Sequence, residues 1–150
     1  MSLRGRRTLI AAASVVLLAG GVAAPASAGP SHFKGKTEQK YAVTFTASSK
    51  KVSGFKTSLW VLCVSVVTGS SEGEVRPILL QSPSRLKKGK FTMLFTGENG
   101  TNITVKGKVT GDTAKGSLAV GYDKVIGYTS TGLLDIAACV ADTTWTAKEK

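Results

Sequence analysis

One histidine, nine carboxylates and two cysteines are all that this chain of 150 residues offers for reactive chemistry. A Ser-His-Asp or Cys-His arrangement would have to use His32. That residue stands just beyond the expected cleavage point after Ala28, and a frayed terminus is a poor place to hold a base against its nucleophile. Among the carboxylates, Glu72 and Glu74 share a Gly/Ser-rich break, while Asp112, Asp123, Asp135 and Asp142 fall in expected turns. They read as solvated turn residues. A spatial pair of the glycoside-hydrolase kind stays open, since carboxylate separation is not written in sequence spacing.

Cys63 and Cys139 are the only cysteines. In an exported chain they are expected to pair as a structural disulfide, and no Cys-x-x-Cys spacing suggests redox activity. With His32 alone to add, they do not make a four-ligand metal set. No phosphate-cradling loop, calcium loop or zinc spacing is present, so neither metal nor cofactor is expected. Asn99-Gly-Thr101 and Asn102-Ile-Thr104 match the glycosylation acceptor pattern but are read as turn and strand.

Two features could bind. The turn carrying Arg85, Lys87, Lys88 and Lys90 concentrates positive charge and is a candidate anion site. The competing reading is a charged hairpin tip that guards sheet edges. No aromatic residue is interleaved with those charges, so there is no specific nucleic-acid signal. The second feature is the face formed by Trp60, Leu62, Val64 and Val66. It belongs to a run, Leu59 to Val67, that is apolar on both sides. We expect core, covered by another sheet or by the Gly121 to Ala138 segment. The alternatives are an apolar pocket or a self-association surface.

The elements that must position these residues begin after an export signal. Arg4, Arg6 and Arg7 precede an apolar stretch from Leu9 to Ala24, and Ala26-Ser27-Ala28 is a small-residue exit. Gly20, Gly21 and Pro25 interrupt the run short of a membrane span. Arg6-Arg7 leaves the general secretory and twin-arginine routes both open. The reading is a signal peptide over 1–28 and one secreted domain over 29–150, with no span after cleavage. Three of the twenty basic residues leave with the signal, so seventeen face nine acidic residues, a net charge of +8.

Within 29–150, Tyr41, Val43 and Phe45 alternate with polar residues as in a half-buried strand. Val75 to Leu80 is a strand that Pro77 places at an edge. Phe91, Met93 and Phe95 are expected on one face, and Asn99-Gly100 marks a hairpin leading to Ile103, Val105, Gly107 and Val109 inward. Gly111-Asp112 turns the chain into Lys115 to Val120. Gly121 to Gly132 is poorly legible, Leu133 to Ala141 admits a helical turn or two, and Thr143 to Thr146 reads as a closing strand. The fold class is all-β: an antiparallel β-sandwich or small β-barrel of about seven to nine strands with one disulfide.

Phe33-Lys-Gly-Lys-Thr37, Lys88-Gly-Lys-Phe91, Ile103-Thr-Val-Lys-Gly-Lys-Val109, Ala114-Lys-Gly-Ser-Leu118 and a late cysteine before Trp145-Thr-Ala147 follow in a familiar order. The pattern resembles a family of small exported β-rich domains from high-GC Gram-positive bacteria whose function is uncharacterised. The likeness spans nearly all of 29–150, departs at Gly121 to Ala138, and implies fold with no catalytic residues. The functional expectation is a secreted, non-enzymatic binding module at or near the cell envelope, its partner an anionic envelope polymer or another extracellular protein. The alternative is a carrier of a small apolar ligand beside Trp60, and a hydrolase ranks third.

Overall fold

The computed structural model describes residues 29–150; the expected signal over 1–28 lies outside them. The described chain is nine antiparallel strands with no helix: β1 (Ser31–Thr37), β2 (Ala42–Ala47), β3 (Lys51–Ser65), β4 (Ser71–Leu80), β5 (Ser84–Arg85), β6 (Lys90–Thr96), β7 (Asn102–Thr110), β8 (Thr113–Tyr128) and β9 (Leu134–Glu149). Along the sheet they run β4-β3-β2-β1-β9-β8-β7-β6, with β5 on β3. Leu62–Ser65 of β3 also pairs directly with Ala137–Val140 of β9. The pairings β3-β2-β1-β9 thus return on themselves and form a small closed barrel core with strands added outside it.

One alternation generates this shape. Residues at one parity turn inward (Phe33, Val43, Phe45, Leu59, Val61, Cys63, Leu118 and Trp145) and are almost wholly buried, as period-2 patterning requires. The Phe45 ring lies 4.9 Å from Phe33, 6.1 Å from Phe55, 6.0 Å from Phe91 and 5.6 Å from Trp145 between centroids. Two glycines make room for this cluster. Gly107 and Gly116 face each other across β7 and β8, flanked in register by Phe91 and Trp145, and a Cβ on either would meet the Trp145 ring within 2.8 Å. The barrel is therefore filled by aromatic rings resting on bare backbone.

The expected turns fall where their residues allow. Asn99 and Gly100 take positive φ at the β6–β7 hairpin, and Lys88 and Gly89 do so where Lys87 N donates to the Lys90 carbonyl at 2.9 Å, the paired left-handed geometry of a tight hairpin turn. Pro77 lies on β4, which ends the sheet path, where its missing N–H is tolerated.

Several expectations are corrected. Leu133 to Ala141 contains no helical turn: Leu134 onward is β9, paired with β8 through a register shift between Val125 and Gly127. That irregularity hides the alternation of the poorly legible stretch, because one extra residue inverts the phase of the pattern. Phe95 does not join Phe91 and Met93 inside; it is 47% exposed near the end of β6. Trp60, Leu62, Val64 and Val66 are not covered core. The first three are 45%, 38% and 38% exposed on the outer side of β3, and Val66, in the turn just after it, is 68% exposed, since β4 and β9 flank that strand edge to edge and no second layer of the described residues lies over it.

Candidate polyanion-binding face

The cross-strand register assembles a surface that local reading does not. Lys36 of β1 stands opposite Thr146 of β9, Thr146 opposite Lys115 of β8, Lys115 opposite Lys108 of β7, and Lys108 opposite Lys90 of β6. All five residues are exposed. They form one row across five strands, spaced at about 4.8 Å per strand. Alongside it, Lys56, Thr44, Lys34, Lys148 and Thr113 make a parallel row; on the other flank, Thr144, Ser117, Lys106 and Thr92 make a third. No carboxylate stands in any of the three rows.

The face is shaped as well as charged. A groove of about 700 Å³ lies among Lys34, Lys36, Lys108, Lys115 and Lys148 with Thr110, Thr113 and Thr146 on its walls. A second, of about 610 Å³, runs from Lys108, Lys115 and Thr146 to Lys90 and Lys106 over Gly107 and Gly116. Because the two share residues they form one trough, whose floor includes the outer side of the Gly107 and Gly116 backbone.

Lys90–Lys108, Lys108–Lys115 and Lys34–Lys148 are like charges directly opposite, an arrangement that destabilises a sheet. Lys115→Thr should therefore raise stability by roughly 0.5 kcal/mol, read as a higher urea midpoint at low salt. A lower midpoint would show that the lysine stem packs rather than repels.

Of the turn residues expected to bind anions, Lys90 joins the trough at its β6 end. Arg85 lies in β5, paired with Lys51 of β3, and with Lys87, Lys88 and Lys90 lines a separate groove of about 560 Å³ over Phe91. The turn is thus a neighbour of the main face. The signal for the face was present in the sequence as outward lysines at alternate positions, Lys34/Lys36 and Lys106/Lys108, but their assembly depends on register.

The remaining candidates sit elsewhere. His32 is not frayed; it lies in β1 with Nδ1 3.2 Å from Thr46 Oγ1, and its carbonyl accepts from Lys150 N. Asp123, Asp135 and Asp142 are in strands rather than turns, while Asp112 is in the β7–β8 turn. Asp135 is buried and accepts from Ser65 Oγ at 2.6 Å, and Ser65 Oγ in turn accepts from Val67 N and Thr68 N. That chain of bonds anchors the β3–β4 turn. Among the described residues no three His, Cys, Asp or Glu side chains group closely enough to hold a metal ion.

Glu72 and Glu74 are in strand β4, not in a flexible break. They stand opposite Cys63 and Val61 in register, Glu72 exposed and Glu74 half-buried, within reach of Tyr122 and Lys124 of β8. Lys124 Nζ donates to Glu72 Oε1 and Glu74 Oε2, each at 2.7 Å; Tyr122 Oη donates to Glu74 Oε1; and the Arg76 guanidinium lies 4.5 Å over the Tyr122 ring. This clasp ties β4 to β8 beside the Cys63–Cys139 disulfide, with Tyr122 Oη 4.0 Å from Cys63 Sγ. The bonds from Lys124 and then Tyr122 hold the Glu74 carboxyl below its usual range. Burial, and then the bond to Glu74, pushes Tyr122 up to about 12.

The signs follow from linkage. A lowered Glu74 adds stability above its ordinary 4.5 that is lost as pH falls through the lower folded value. A raised Tyr122 adds stability below 10 that is lost as pH rises toward about 12. Glu74→Gln should flatten the acid limb of urea midpoints measured from pH 7 down to 3, and Tyr122→Phe the alkaline limb. Curves parallel to wild type would remove the clasp from the stability balance.

Comparison with known proteins found no matching family model, no matching curated protein and no matching solved structure.

Proposed function

We propose that this protein is a secreted, non-enzymatic module that holds a linear polyanion at or near the cell envelope. The observation that carries the reading is the row Lys36, Thr146, Lys115, Lys108 and Lys90, which crosses five strands without a carboxylate. An anionic chain laid along that row meets cationic groups repeatedly, and displaced counterions drive the association. Threonine hydroxyls between the lysines add neutral donors and acceptors for the polymer backbone. The expected export signal and the disulfide agree with a site of action outside the cell, and no helix among the described residues is long and apolar enough to cross a membrane.

The test is retention of the folded domain on an immobilised polyphosphate column across a salt gradient. Lys36→Gln/Lys108→Gln/Lys115→Gln should elute at markedly lower salt, with at least a tenfold loss of affinity near 0.15 M, on the order expected for three lost anion contacts. Arg85→Gln/Lys87→Gln/Lys88→Gln should lose much less. Wild-type protein that passes through unretained, or two triple variants that elute together, would defeat the proposal.

A further inference from the structure

The outer surface of the molecule has a second face, opposite in chemistry to the lysine trough. Trp60, Leu62 and Val64 project outward from β3. Leu62 stands directly opposite Val140 of β9, and Trp60 opposite Val75 of β4. With Ile136 farther along β9, they make a continuous apolar surface over β4, β3 and β9, on which Val75 and Val140 are 54% and 60% exposed. No lysine or arginine projects from it; Asp123, beside Ala138, and Asp142, two residues beyond Val140 on the same side of β9, are the charges at its margin.

Trp60 is fixed in place. A Cβ on Gly73 would lie 2.2 Å from its ring, so the indole rests flat on that glycine. Gln39 reaches the strand beside it, accepting from Trp60 N at 2.8 Å and donating to Trp60 O at 3.3 Å. An aromatic side chain held rigid and half exposed loses little entropy when it is covered, which is the character of an interface anchor. The face runs along 60–66 at the end of β3 and 134–140 of β9; at about 3.3 Å per residue, and with three strands and their side chains, these stretches give a footprint of roughly 20 by 23 Å. With side-chain relief, that approaches the ~600 Å² per partner at the low end of specific interfaces.

We infer that this face is covered by a second copy of the same chain, in a two-fold dimer that packs sheet on sheet. Charge fixes where a second copy can dock. The rest of the chain is strongly basic, so two copies can approach only through a face without lysines, and a two-fold interface needs a surface complementary to itself. With the strands of the two copies antiparallel across the axis, the lysine halves of β8 and β9 extend away from each other. The dimer then offers two troughs, and a polymer long enough to reach both gains avidity without any new contact. The inference does not rest on the polyanion reading, because the dimer forms without ligand.

Sedimentation of residues 29–150, which contain the whole barrel and its disulfide, tests it without polymer present. Wild type should pass from monomer to dimer between about 1 and 500 µM. Leu62→Lys and Val140→Lys, each placing a charge in the middle of the face on an outward side chain, should stay monomeric to the top of that range with an unchanged circular dichroism spectrum. Two variants guard against one failing to fold. Wild type that remains monomeric throughout, or variants that dimerise as well as wild type, would overturn the inference. So would a monomeric wild type that binds phosphatidylcholine vesicles while Leu62→Lys does not, since the occupant would then be lipid.

Discussion

Replacing Cys63 and Cys139 together with alanine is expected to lower the thermal midpoint by about 15–20 °C. The two residues are 76 apart in sequence, and closing so long a loop removes about 4.5 kcal/mol of chain entropy from the unfolded state. In a domain of this size each kcal/mol moves the midpoint by about 3–5 °C. Both side chains are buried, so truncation also leaves space that β3 and β9 cannot fully close, and this loss has the same sign. The bridge sits where β3 and β9 meet over four residue pairs, beside the Glu74–Tyr122–Lys124 clasp. The lysine row lies toward the other ends of β8 and β9. The variant should therefore still bind polyphosphate well below its lowered midpoint. Melting followed by circular dichroism, with wild type in reductant as the companion, reads the effect. A midpoint within a few degrees of wild type would mean that strand pairing alone holds the junction.

The disulfide was readable because it needs only two residue types and a compartment. The strands were readable wherever apolar and polar residues alternate without interruption, as in Val43 and Phe45 or Ile103 and Val105. Reading stopped where the signal depends on something outside the window. On β3 both parities are apolar, and local pattern cannot say which one turns inward; the barrel buries Leu59, Val61 and Cys63 and leaves Trp60, Leu62 and Val64 outside. Glu72 and Glu74 looked like part of a glycine-serine break because their partners, Tyr122 and Lys124, lie about fifty residues later. The lysine row joins residues from β1, β6, β7 and β8, each an unremarkable outward lysine by itself. Register, fixed by hairpin turns and inward packing together, makes them one surface.

The same dependence on register decides which glycines the barrel can spare. Gly116→Ala is expected to destabilise the protein by about 3 kcal/mol, at the upper end of ordinary overpacking. An added methyl would lie 1.9 Å from the Lys106 carbonyl oxygen, 2.6 Å from the Trp145 ring and 2.8 Å from the Gly107 Cα. Two of those three atoms are backbone of the neighbouring strand, so relief requires β7 to move. The third belongs to an indole that is 1% exposed and packed against Phe45, Phe55 and Phe91. Gly121, five residues farther along the same strand, is the control. A methyl there meets nothing nearer than the Cys139 carbonyl oxygen at 4.0 Å, so Gly121→Ala should be neutral or stabilising by about 0.5–1 kcal/mol through a less flexible unfolded chain. Urea unfolding should place the Gly116→Ala midpoint well below that of wild type and the Gly121→Ala midpoint at or above it. Equal midpoints would mean that the Trp145 ring does not rest on the Gly107–Gly116 backbone. The lysine trough depends on the same contact, because its floor is the outer side of those two glycines; a shifted β7 would carry Lys106 and Lys108 with it. Gly116→Ala should accordingly weaken polyphosphate retention even under conditions where it remains folded, and Gly121→Ala should not.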